Sequence, residues 1–90
     1  MRIKAEAYLK WIRTQPCLVC GRWSIAHHLM HAEPSAMGKK SGDNWAVPLC
    51  ADHHTDLHGF GDERTWWAMR GIDPIKWAEE TYQDENNGRF

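Results

Sequence analysis

The apolar positions of this 90-residue chain fall in short runs broken by polar, glycine and proline punctuation. Tyr8, Trp11 and Ile12 recur at helical spacing with Lys4 and Lys10 elsewhere on the cylinder, which predicts a helix over about 3–14. Pro16 stops it, because the residue before a proline avoids helical backbone. Cys17–Gly21 reads as a tight turn. Trp23–Leu29 and Trp45–Leu49 are short apolar or mixed stretches, expected to form two antiparallel strands. Between them His31–Asp43, rich in Gly, Ser and Lys with Pro34, reads as a loop. Three short helices are expected to follow. Asp52 is the expected cap of one covering His53–His58, with Gly59 suited to the left-handed position past its end. Asp62-Glu63 opens another, about 62–70, acidic at its start, basic at its end and closed by Gly71. Asp73-Pro74 pairs a cap with proline at the first helical position and opens a helix over about 74–82. The polar end, 83–90, is expected to fray. Trp66, Trp67, Ile75, Trp77 and Ala78 are read as the apolar surface that holds these last helices on the body, rather than as base-stacking residues.

Composition alters this picture in two ways. A chain of this size is one domain (1–90) and buries only about 60–65% of its unfolded surface, so a metal, disulfides or a partner is expected to help it fold. The unusual counts are six His, three Cys and six Trp. An odd number of cysteines behind a start without a secretory apolar region disfavours a disulfide framework and points to a reducing, cytoplasmic setting. No apolar run reaches membrane-spanning length. The net charge of −1 argues against a strongly basic nucleic-acid coat, although residues 1–31 alone carry +4.

The cysteines and one histidine form two half-sites. Pro16-Cys17-Leu18-Val19-Cys20-Gly21 has the two-residue spacing of a metal knuckle, and Cys50-Ala51-Asp52-His53 repeats it with a histidine in last place. Together Cys17, Cys20, Cys50 and His53 make a Cys₃His set suited to tetrahedral structural zinc, which contributes folding free energy directly. The 29 residues between Cys20 and Cys50 exceed a simple zinc ribbon and leave room for a hairpin with a long loop. A buried thiol cluster or redox dithiol is the competing reading, and no thioredoxin-like βαβ pattern accompanies it. Four further histidines form a second set. His27-His28 are adjacent on a strand and take opposite sides. His54 and His58, one helical turn apart, share a face, whereas His53 points away toward the knuckle. One short helix can thus serve two metal sites.

Taken together, Cys-x2-Cys, Ala26-His27-His28, Asp43-Asn44 and Pro48-Leu49-Cys50-x-x-His53-His54-x3-His58 resemble the HNH endonucleases of the ββα-metal fold. The likeness is nearer to small phage and prophage nucleases related to the recombination enhancement function (Ref) proteins. It covers about residues 7–80. It implies a small, zinc-stapled α+β fold: an N-terminal helix, a ββα-metal HNH motif within a core of about 15–60, and two C-terminal helices. It implies His28 as general base, with Asp43 or Asn44 orienting it. His27, His54 and His58 are implied as ligands of a catalytic divalent metal. The choice at the middle position stays open because Asn44 lies six residues before Cys50, one more than in many zinc-containing members. The ligands are all imidazoles, whereas hard Mg²⁺ prefers oxygen, so Mn²⁺, Ni²⁺ or Zn²⁺ are reasonable alternatives to Mg²⁺. The implied activity is hydrolysis of DNA phosphodiester bonds in phage or prophage recombination, repair or DNA processing, with a recombination or repair protein as a further partner. Arg22, Lys39 and Lys40 flank the implied site and are the candidate contacts to the DNA backbone; His31 is unassigned. The rival readings are a non-catalytic zinc module that binds nucleic acid or protein, and a redox or metal-storage protein. The second histidine set separates the nuclease from the first of these, since a scaffold needs no further ligands.

Overall fold

A computed structural model describes residues 4–30 and 42–88, with side chains through Gln83. The expected loop over His31–Asp43 therefore falls almost wholly outside the described residues, and His31, Lys39 and Lys40 with it.

The described chain is a small α+β unit of four helices and one two-stranded sheet. Its order is α1 (Glu6–Ile12), β1 (Ile25–His28), a single 3-10 turn at Asp43–Trp45, β2 (Ala46–Leu49), α2 (Ala51–Phe60), α3 (Glu63–Met69) and α4 (Pro74–Gly88). Helix α1 is shorter than expected and ends at Ile12, before Pro16 could act on it. Its buried face is Tyr8, Leu9 and Ile12. Leu9 replaces the expected Trp11, which instead stacks beside Tyr8 with ring centroids 5.9 Å apart. Tyr8 also meets Tyr82 of α4 edge-on at 5.0 Å, so the first and last helices touch.

Strands β1 and β2 pair antiparallel, with His27 opposite Val47 and His28 opposite Ala46. Every residue of β2 is buried, while β1 alternates and turns His27 inward. That contrast reflects their cover, since α1 packs on both strands whereas α4 packs chiefly on β2. The core joins Leu29, Val47, Leu49 and Leu57 to Trp66, Trp67 and Ala78, with Ile75 and Trp77 packed on its margin. The tryptophans of α3 are thus core residues, as their spacing predicts. Cys17 and Cys50 lie in the same cluster. Among the described residues no helix is long and apolar enough to cross a membrane.

Three element ends differ from expectation. Helix α2 is capped by Cys50, whose sulfur accepts from the His53 N–H, and not by Asp52. A thiol of the Cys/His cluster does there what a carboxylate does elsewhere. The left-handed glycine past α2 is Gly61 at φ 92°, while Gly59 lies inside the helix, two residues earlier. Helix α4 runs on to Gly88, through most of the stretch expected to fray, because polar residues do not interrupt a helix already nucleated by its packed first turns. The caps at Asp62 and Asp73 follow expectation, accepting from Thr65 N–H at 3.3 Å and Lys76 N–H at 3.1 Å.

Candidate metal centres

The first centre is assembled by a turn and a helix start. The Cys17 carbonyl accepts from Gly21 N–H at 2.9 Å, and Gly21 takes φ 78° to close the knuckle. The Leu18 N–H donates to the Pro48 carbonyl at 3.1 Å, which fastens the knuckle to β2 just ahead of Cys50. The ligand atoms of Cys17, Cys20, Cys50 and His53 all lie within 4.8 Å of one another. Cys20 Sγ is 3.7 Å from Cys50 Sγ, and His53 Nδ1 is 3.2 Å from Cys50 Sγ and 4.0 Å from Cys17 Sγ. Zinc–sulfur bonds of about 2.3 Å in a tetrahedron imply S···S edges of roughly 3.8 Å, so the cage has the dimensions of a zinc site. The three cysteines are free of disulfides. Burial opposes ionisation of Cys17, but N–H groups at Cys20, Cys50 and Val19 outweigh it and bring its thiol down to about 6. An N–H at Arg22 pulls Cys20 the same way, yet burial and the two neighbouring thiols together push it up. Three thiols this close compete for one negative charge, a tension that a dication relieves.

The second centre uses another face of α2. His27 from β1 and His54 and His58 from α2 bring their ligand atoms within 4.8 Å of one another. His54 Nε2 and His58 Nε2 are 3.1 Å apart. Metal–nitrogen bonds of about 2.1 Å give N···N edges of roughly 3.0–3.4 Å, so this spacing also fits one shared cation. Burial, then the neighbouring His27 and His58, hold the His54 imidazole below its ordinary pKa and so in the neutral form that ligates. With Ala26, His28 and Met30 these three histidines line an open cleft of about 300 Å³.

Each histidine on β1 has a carboxylate behind it. His27, only 3% exposed, sets its Nε2 2.7 Å from Glu63 Oε2. Glu63 also accepts from Met30 N–H at 2.8 Å and from the Trp67 indole N–H at 3.1 Å. Burial alone would raise the pKa of Glu63; these donors outweigh it and hold the carboxyl down to about 2. An ionised Glu63 can only accept, so His27 carries its proton on Nε2 and keeps the Nδ1 lone pair for a metal. His28 is arranged alike, with Nε2 2.8 Å from Asp43 Oδ1 and its ring partly open to the cleft. The other Asp43 oxygen accepts from Ala5 N–H at 2.7 Å.

Of the two candidates for the middle position, Asp43 therefore reaches His28. Asn44 faces a separate groove lined by Trp45, Glu79, Tyr82 and Gln83. Its buried Oδ1 finds no hydrogen-bond partner among the described residues. Arg22 is exposed and paired with Asp52 at 3.1 Å. The sequence reading missed Glu63, which looked like an ordinary acidic residue of a helix first turn; nothing local ties it to His27, 36 positions away. It also missed Asp56, which accepts from the Trp66 indole at 2.8 Å and from Arg70 at 3.1 Å. Arg70 lies 3.7 Å over the Trp66 ring, and the trio locks α3 against α2.

A family profile described as "Protein of unknown function (DUF968)" matches residues 1–83. The uncharacterized protein YdfU of Escherichia coli (strain K12) is 43% identical over 54 residues, which is 59% of this chain. The chain spans 16% of the length of that curated relative. No solved structure matches.

Proposed function

This chain belongs to the DUF968 family, whose description assigns no activity, and we propose that it is a metal-dependent endonuclease of the HNH type that hydrolyses DNA phosphodiester bonds. One observation carries the reading. A second cluster of three imidazoles, unneeded by a zinc scaffold, lines the same cleft as a fourth imidazole that is held by its own carboxylate. The element order β1, β2, α2, with the histidines on the first strand and the helix, supports a ββα-metal arrangement.

A divalent cation on His27, His54 and His58 would supply Lewis-acid polarisation of the scissile phosphate and offset charge on the leaving 3′ oxygen. Glu63 keeps His27 in the tautomer that ligates. His28, with Nε2 committed to Asp43, uses Nδ1 to take a proton from the attacking water. Asp43 fixes that ring and stabilises the imidazolium that results. The water oxygen bonds to phosphorus as the bond to the 3′ oxygen breaks, and that oxygen takes a proton from solvent, leaving a 5′-phosphate and a 3′-hydroxyl. Three imidazoles favour Mn²⁺, Ni²⁺ or Zn²⁺ over Mg²⁺. The three free thiols suit a reducing, cytoplasmic setting. DNA processing in a phage or prophage context, beside recombination or repair proteins, is the setting we propose.

The test is a nicking assay, on supercoiled plasmid and on single-stranded circular DNA, of the zinc-loaded protein and His28→Ala with Mg²⁺, Mn²⁺, Ni²⁺ or added Zn²⁺, and with a chelator control. Nicking by the wild type that needs an added metal and falls at least 100-fold in His28→Ala supports the reading. No nicking with any metal would move the protein to the class of non-catalytic zinc modules.

A further inference from the structure

Trp23 is 94% exposed, in a chain that buries Trp66 and Trp67 almost completely. Its backbone is nonetheless held on both sides. The Arg22 carbonyl accepts from Cys17 N–H at 3.0 Å, and the Ser24 hydroxyl donates to the Gln15 carbonyl beyond the end of α1. The segment is therefore tied to the zinc knuckle on one side and to the first helix on the other. Together with Arg13, Thr14, Gln15, Pro16, Gly21 and Arg22, Trp23 lines a groove of about 250 Å³.

The two cations of this groove have weak claims on them. Arg13 is 3.5 Å from Glu6, and Arg22 is 3.1 Å from Asp52, with all four side chains well exposed. Surface pairs of this kind hold their partners loosely, and each guanidinium keeps further N–H donors free. The groove also lies in the third of the chain that carries +4. An exposed aromatic ring lining one groove with two such cations matches one chemistry well: a base to stack, with phosphates for the cations.

We propose that this groove binds an unpaired nucleobase of single-stranded nucleic acid, stacked on Trp23, with its flanking phosphates on Arg13 and Arg22. A paired base inside a duplex hides its face and cannot occupy it. Trp23 stands four residues before His27, so at most about 14 Å of backbone separates it from the histidine cleft. The same strand can reach both. The groove then holds a single-stranded or splayed segment next to the scissile bond, which names the substrate form of the proposed nuclease and rests on that reading.

The test is equilibrium binding of the zinc-loaded full chain to an end-labelled oligothymidylate, followed by fluorescence anisotropy without any other added metal, so that no turnover is needed. Trp23→Ala is expected to weaken binding about 5- to 150-fold, and Trp23→Phe to restore most of it. The double variant Arg13→Gln/Arg22→Gln should flatten the slope of log K against log salt by roughly 1.4. Zinc content and melting temperature of Trp23→Ala should match the wild type, since the ring is in solvent. Binding by Trp23→Ala equal to the wild type would overturn the proposal. So would tighter, Trp23-independent binding of the corresponding duplex, or no oligonucleotide binding at all. Trp23-dependent binding without nicking would sink the nuclease and keep the groove; nicking with Trp23-independent binding would do the reverse.

Discussion

At the start of α2, Cys17, Cys20, Cys50 and His53 converge on one point, with two of the sulfurs built into the hydrophobic core. One residue further along the same helix, His54 joins His58 and His27 beside an open cleft. Four protein ligands of tetrahedral size leave a metal nothing further to bind. Three histidines facing a cleft would leave room for water or substrate, and one of them, His27, is held by a carboxylate behind it. Structural and catalytic metal sites in general differ in this way, and here a single helix of ten residues contributes to both clusters. Coordination number and access, more than the ligand types, distinguish the two centres.

Breaking the first centre should have the largest effect. Cys50 is at once a member of the Cys/His cluster that could hold zinc, a core residue and the cap of α2. Cys50→Ser, or exhaustive chelation, is expected to abolish the cooperative thermal transition seen by circular dichroism. The wild type should hold one tight zinc per chain by elemental analysis. A folded, zinc-free protein would remove the contrast between the sites.

Breaking the second centre should leave the fold alone. His28→Ala is expected to lower turnover by about 10²- to 10⁴-fold with melting temperature and zinc content unchanged. Asp43→Asn should cost about 10- to 100-fold, by loosening the ring it holds, whereas Asn44→Ala should nick like the wild type. Equal losses at both positions would erase the distinction between them.

Glu63→Gln sharpens the comparison further. Cobalt or manganese affinity of the histidine cleft is expected to fall about 10- to 100-fold, with the cysteine zinc untouched. The same variant reports on pH. The folded pKa of Glu63, about 2, lies below its ordinary 4.5. Its carboxylate therefore contributes stability that is complete above about pH 4.5 and lost as pH falls through about 2. The difference in melting temperature between wild type and Glu63→Gln should shrink across that window, and a difference that grew on acidification would contradict the assignment. The smallest effect is expected at Arg22. Its exposed pair with Asp52 contributes no more than about 1 kcal/mol, so Arg22→Gln should barely move the melting temperature. The salt slope of single-stranded DNA binding should nevertheless flatten by roughly 0.7.

Much of both centres was legible because their ligands obey local rules. Two-residue Cys spacing makes a knuckle wherever the chain turns, and histidines four apart on a helix share a face whatever packs against them. The different faces of His53 and His54, about 100° apart, follow from helical geometry alone. Capping by Asp62 and Asp73 was legible for the same reason. The cap of α2 was not, because a cysteine acts as a cap only when something else already holds its sulfur in place. Trp11 lies three residues after Tyr8 and Leu9 three before Ile12, so helical spacing could not choose between them; the seat of α1 on the sheet and the 3-10 turn did.

What the sequence determined by itself is therefore the inventory and its grouping: four ligands for a closed site, three histidines for a second, a fourth histidine adjacent to them, and the helix that joins the sites. What only the tertiary structure decided is which carboxylate stands behind which imidazole. Glu63 reaches His27 across 36 positions, and Asp43 rather than Asn44 reaches His28 across 15. The physical reason is that a hydrogen bond between distant segments depends on the register of β1 against β2 and on the seat of α3 against α2. Those are fixed by packing around Val47, Leu57, Trp66 and Trp67, and no local spacing encodes them.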